Sequence, residues 1–133
     1  MKVFVMTDME GASGVCVREH VMQGDALYQA GRRCLTWDVN ACVEGCFAGG
    51  ATEVVVRDGH GSHGANFIWE DLDPRAEYIM GETGKEGQSG IEGCAALMLL
   101  GLHAMAGTQE AILEHTMSSA AWQNFWINGR KTG

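Results

Sequence analysis

The chain has 133 residues, 46% of them apolar, and a formal net charge of −8 at pH 7. That length suits one domain burying about two-thirds of its unfolded surface. The acidic balance, with no run of Lys or Arg, argues against nucleic acid as a partner, because a polyanion is repelled, and no apolar stretch approaches a membrane span.

The N-terminus, Met1 to Asp8, has one lysine and too few apolar residues for a secretion signal. Cysteines at 16, 34, 42, 46 and 94 are odd in number and contain no C-x-x-C pair. They read as structural thiols in a reducing cytoplasm. Lys2 to Thr7 is an apolar run that predicts a strand buried on both faces. Glu10 to Gly24 is glycine-rich and polar, a loop. Asp25 is placed to cap a helix running to about Phe47, with Leu27, Ala30, Cys34, Trp37, Ala41 and Cys46 as its buried stripe and Gly49-Gly50 as its stop. Thr52 to Val56 predicts a second strand. A strand, a crossover helix and a strand, without a hairpin-length link, predict a parallel pair.

"RDGHGSHGAN", residues 57–66, follows that strand. Gly59 to Gly64 satisfies G-x-G-x-x-G, so a nucleotide-binding module is one reading. The fingerprint needs a helix opening at the motif, and Ala65 to Leu72 allows at most two turns before Pro74. Further along, Glu77 to Met80 and Ala95 to Leu100 predict strands, and Gly81 to Gly93 shows no clear periodicity. Gly107 to Glu114 reads as a loop or short helix. Thr116 to Ala121 and Phe125 to Ile127 are strand candidates, and Asn128-Gly129 is a hairpin turn signal whose second arm barely begins before Gly133. The expected fold is α/β: three layers, a mostly parallel sheet with flanking helices, in a single domain spanning 1–133.

In a parallel sheet the loops after the strands form the binding crevice. Here the first strand delivers Asp8 and Glu10, the second Asp58 and His60, and the fourth His103. Carboxylates and imidazoles from three distant segments at one sheet edge suit Zn²⁺ or a similar ion. Asp8, Glu10, His60 and His103 are the candidate ligands, and a bridging carboxylate would allow two ions. Asp58 is placed to orient its neighbour rather than to bind. Taken alone, Asp8 and Glu10 would read as residues that flank a strand end and cap nearby amides; His60 and His103 turn the reading toward a metal. His20 and His63 read as solvated loop residues. Trp37, Trp69, Trp122 and Trp126 read as core or interface.

"DMEGASGV" from Asp8, "RDGHGSH" from Arg57, "LLGLHAMAG" from Leu99, "EHTMS" from Glu114 and "FWINGRKTG" from Phe125 resemble, in this order, the DppA-like D-aminopeptidase family of zinc metallopeptidases. The resemblance implies a two-zinc centre on Asp8, Glu10, His60 and His103, bridged by Asp8. It implies His115 as the catalytic histidine, nucleophile or proton carrier. It implies hydrolysis of short peptides with an N-terminal D-amino acid, in a ring-shaped homo-oligomer. The family pattern has a further glutamate ligand just past the segment matching "NGRKTG" and a substantial C-terminal portion, so the chain is expected to be a truncated metallopeptidase domain. A catalytically impaired or oligomerising fragment and a two-metal amidase are the other readings.

Overall fold

The apolar run Val3-Phe4-Val5 is buried on both faces, as an interior strand of a parallel sheet requires. The computed structural model describes residues 1–61, 65–81, 90–118 and 124–133. Strand β1 (Lys2–Thr7) is followed by helix α1 (Tyr28–Ala48), then β2 (Glu53–Asp58), β3 (Glu77–Ile79) and β4 (Ala96–Leu100). These four strands pair in the order β3-β2-β1-β4, all parallel. Val5 lies opposite Val56 on one side and Met98 on the other. The chain runs outward from β1 to β2 and β3, then returns to the opposite side of β1 with β4. The strand order therefore reverses between β1 and β4, the position at which open parallel sheets characteristically bind ligands.

The parallel crossover, the strand positions and the loop from Glu10 to Gly24 follow the sequence expectation, with a single 3-10 turn at Arg18–His20 inside that loop. The second strand runs two residues further than expected, through Arg57 and Asp58. The hairpin at Asn128-Gly129 forms: β5 (Phe125–Ile127) and β6 (Arg130–Thr132) pair antiparallel, and both turn residues have positive φ, 51° and 77°. Residues 116–118 are not a strand; 119–121, the rest of that expected strand, lie outside the described residues. One 3-10 turn, Trp69–Asp71, stands where a fingerprint helix would have to open. The nucleotide reading thus lacks its helix among the described residues.

Helix α1 buries a different stripe from the one expected. Tyr28, Gly31, Leu35, Thr36, Val39 and Val43 are buried, whereas Trp37 is 63% exposed and Leu27 and Ala41 are also exposed. Two apolar stripes compete at helical spacing. The winner carries small and β-branched side chains that let the helix lie close on the sheet, where Leu35, Val39 and Val43 join Val3, Val5, Val54 and Val56 in one core. An indole at that contact would hold the helix away. Trp69 and Trp126 are likewise exposed, so the core reading fails for three tryptophans; Trp122 lies outside the described residues. Asp25 is not the helix cap. Leu27 holds that position without a side-chain bond, and the Asp25 carboxylate takes Arg18 at 2.9 Å. Cys42 and Cys46 are half-buried free thiols; burial and the neighbouring Cys46 push Cys42 up to about 11.

Among the described residues α1 is the only α-helix, and it flanks one face. On the other face the chain at Gly90 meets Phe4, Val55 and Ile79, while Leu97 and Leu99 of β4 stay exposed. The fold is α/β, a parallel sheet with the described helix packed on one face. No helix among them is long and apolar enough to cross a membrane.

The stripe assignment makes a direct test. Leu35→Ala is expected to cost about 2–5 kcal/mol in urea unfolding. Trp37→Ala should fall within about 0.5 kcal/mol of the parent. A reversed ranking would restore the expected stripe.

Candidate metal centre

Backbone bonds bring three loops together beyond the strand ends. The Asp8 amide donates to the Leu100 carbonyl at 2.9 Å, and the Gly11 amide to Gly101 at 2.8 Å. The loop after β1 is thereby tied to the loop after β4. Gly101 has φ of 67°, and a β-carbon there would collide with the Asp8 carbonyl, so glycine is required twice over. On the other side, the Gly59 amide donates to the Thr7 carbonyl at 3.0 Å, leaving no space for a side chain. Gly59 thus serves close approach, which is what carries His60 to β1; Gly61 faces open space.

The four expected ligands do converge, and His115 joins them. Asp8 and Glu10 are buried, 7% and 5% exposed. His60 Nδ1 lies 2.9 Å from Asp8 Oδ1 and 3.2 Å from Glu10 Oε2. His103 Nε2 lies 3.5 Å from the other Asp8 oxygen, Oδ2. The His103 and His115 rings stack with centroids 3.5 Å apart. Asp8, Glu10 and His60 offer ligand atoms all within 4.8 Å of one another, and so do Asp8, His103 and His115. Asp8 is common to both groups. It also accepts the Met9 amide at 2.8 Å, so the amide-capping role coexists with this placement.

A carbonyl oxygen can only accept, so it identifies the nitrogen that carries hydrogen. His60 Nε2–H donates to Val21 O at 3.0 Å, His103 Nδ1–H to Ala104 O at 3.0 Å, and His115 Nδ1–H to Leu113 O at 2.8 Å. Each ring is held by one nitrogen and left with the other for a ligand, as expected of metal-binding imidazoles. These three carbonyls carry no side-chain signal, so sequence reasoning had no route to them. Leu113, with φ of 46°, and Met117, with φ of 56°, bracket His115 in the left-handed region, where bulky side chains are strained.

The donor set fits a cation. Glu10 Oε2 is buried and makes no regular hydrogen bond, its nearest positive partner being His60 Nδ1 at 3.2 Å. Two neighbouring buried carboxylates call for positive charge. Burial opposes ionisation of Asp8, but hydrogen bonds from His60, with Glu10 and the Met9 amide, outweigh it and hold the carboxyl below the usual range. Asp58 stands apart. Burial raises it despite its bonds to Asn66 and to the His60 backbone, and it belongs to neither ligand group; it accepts both the backbone and side-chain amides of Asn66, at 2.8 and 2.9 Å. His20 is half-buried rather than solvated, and its Nδ1 accepts the Cys16 amide at 3.3 Å. His63 lies outside the described residues.

This geometry sits in a chain that matches the D-aminopeptidase family of peptidases, M55, over residues 1–133, and the chain belongs to that family. It is 35% identical to a D-aminopeptidase of Bacillus subtilis over its whole length, covering 48% of that protein. Among solved structures it resembles the Zn-dependent D-aminopeptidase DppA from Bacillus subtilis, described as a self-compartmentalizing protease, with a TM-score of 0.85 and 34% identity, again covering 48% of that chain. The chain thus spans about half the length of the relatives it matches.

Metal and proton compete for His60. Burial disfavours its charge, but Asp8, Glu10 and the Val21 carbonyl outweigh that and push the metal-free imidazole up to about 10. A raised folded value makes the protonated ring stabilising. That stabilisation is complete below the ordinary 6.5 and lost as pH rises through about 10. The chain in excess chelator is therefore expected to lose melting temperature between these limits, and His60→Gln to lack that component. Identical pH profiles for the two, by circular dichroism, would refute it.

Proposed function

We propose that this chain is the metal-holding portion of a zinc-dependent aminopeptidase that hydrolyses short peptides carrying an N-terminal D-amino acid. The observation that carries this reading is the Asp8 carboxylate, its two oxygens facing two separate sets of ligands, each imidazole anchored by a backbone carbonyl. Glu10 and His60 would hold one ion, His103 the other, and Asp8 would bridge. When bound, such a pair supplies Lewis acidity and a nucleophile available at neutral pH.

The chain's own residues do the remainder. Asp58 helps to hold the loop that carries His60. His115, its Nδ1–H locked on Leu113, keeps Nε2 to take a proton from the attacking water and return it to the departing amine nitrogen. The acidic surroundings attract the ammonium end of a peptide. The D-configuration and assembly as a ring-shaped homo-oligomer are supported by the family description and by the self-compartmentalizing relative. Five free thiols support a cytoplasmic setting.

One observation favours a second role for His115: it lies within ligand distance of Asp8 and His103. Elemental analysis separates the roles. The zinc-loaded chain is expected to hold about two ions, and Asp8→Asn to lose both. His115→Ala should keep its zinc while turnover of a peptide with a free N-terminal D-residue falls by about 10²–10⁴. Loss of one zinc in His115→Ala would make it a ligand. A folded, zinc-treated parent chain without metal would overturn the proposal, as would equal turnover of the L-epimer for the substrate assignment.

A further inference from the structure

Asn66 is fully buried and has no role in the reading above. Its amide nitrogen Nδ2 donates to Asp58 Oδ1 at 2.9 Å and to the carbonyls of His60 and Gly61, both at 3.1 Å. Its backbone N–H donates to Asp58 Oδ2 at 2.8 Å. Its Oδ1 accepts the Tyr28 hydroxyl, at the start of α1, at 2.6 Å. One side chain therefore ties the end of β2, the backbone of the His60 loop and the helix together. The residues that follow are tied to the same helix. Arg32 donates to the Phe67 carbonyl, and the Ile68 amide to Thr36 Oγ1 at 3.0 Å.

We propose that Asn66 is the positioning residue for His60: it holds the two loop carbonyls so that the imidazole is presented to Asp8 and Glu10. Only a primary amide offers this combination. The Asp58 carboxylate and the two carbonyls all accept and need N–H donors, while the Tyr28 hydroxyl donates and needs an acceptor. An aspartate there would set a second carboxylate against Asp58, and an aliphatic residue would remove a partner from four polar groups, two of them buried. The ring is then fixed from two directions, by Asn66 through the backbone and by Val21 O at Nε2. His103 and His115 hang on other loops, with their own carbonyls, and do not depend on it.

This inference deepens the metal-site reading of His60, and the test separates the two. In Asn66→Ala, side-chain nitrogen NMR of the metal-free chain should show the His60 ring resonances shifted or broadened, with those of His103 and His115 unchanged. Zinc affinity, by competition with a chromophoric chelator, should fall about 10–100-fold. If Asn66→Ala does not fold, Tyr28→Phe removes one bond of the network and should move His60 in the same selective way, by less. An unmoved His60, or all three histidines moving together, overturns the positioning role. A parent chain that takes up no zinc overturns the metal reading, while the NMR comparison still decides the role of Asn66.

Discussion

The rest of the site depends on two carboxylates, Asp8 and Glu10, buried beside each other at the end of the innermost pair of strands. Like charges in a poorly solvated place repel, and each loses hydration. The molecule answers by placing His60 Nδ1 2.9 Å from Asp8 and 3.2 Å from Glu10, which still leaves Glu10 Oε2 short of a regular hydrogen bond. That arrangement is costly for a chain alone and natural for a chain that encloses divalent cations. The high affinity of His60 for its proton and the candidate metal site are thus one electrostatic fact seen with different cations.

Topology decides which side chains share this charge. The sheet order puts β1 between β2 and β4, so the Asp8 carboxylate faces groups from both neighbours, His60 on one side and His103 on the other. Two glycines convert strand adjacency into side-chain adjacency. Gly59 lets its loop pass against Thr7, and Gly101 lets its loop pass against Asp8. A β-carbon at either would separate the loops by more than a hydrogen bond tolerates.

Backbone carbonyls do the fine orientation. Val21, Ala104 and Leu113 each occupy one ring nitrogen, and the last of these comes from a residue in a strained left-handed conformation. Strain at Leu113 and Met117 is sustained because the segment between them is pinned. The His115 amide bonds Ala104 O at 3.0 Å, and buried Thr116 accepts the Ala106 amide at 3.1 Å. Asn66 does a comparable job for the His60 loop, using side-chain groups where the other loops use main chain.

By itself the sequence determined the parallel strand-helix-strand unit, the hairpin turn at Asn128-Gly129, the family resemblance and the convergence of Asp8, Glu10, His60 and His103. These depend on local signals: β-branched runs, turn residues, and polar residues placed just after strands whose common edge is dictated by parallel pairing. Only the tertiary structure decided the buried stripe of α1, because two apolar stripes recur at helical spacing and packing against the sheet buried the one without tryptophan. It alone showed that Asp25 pairs with Arg18 instead of capping the helix, that one described helix covers one face, and that His115 stacks on His103. It alone revealed Asn66 and the three carbonyls. A carbonyl is the same in every residue, and an asparagine in a loop reads as a turn former until its partners, 5 to 38 residues away, are placed around it.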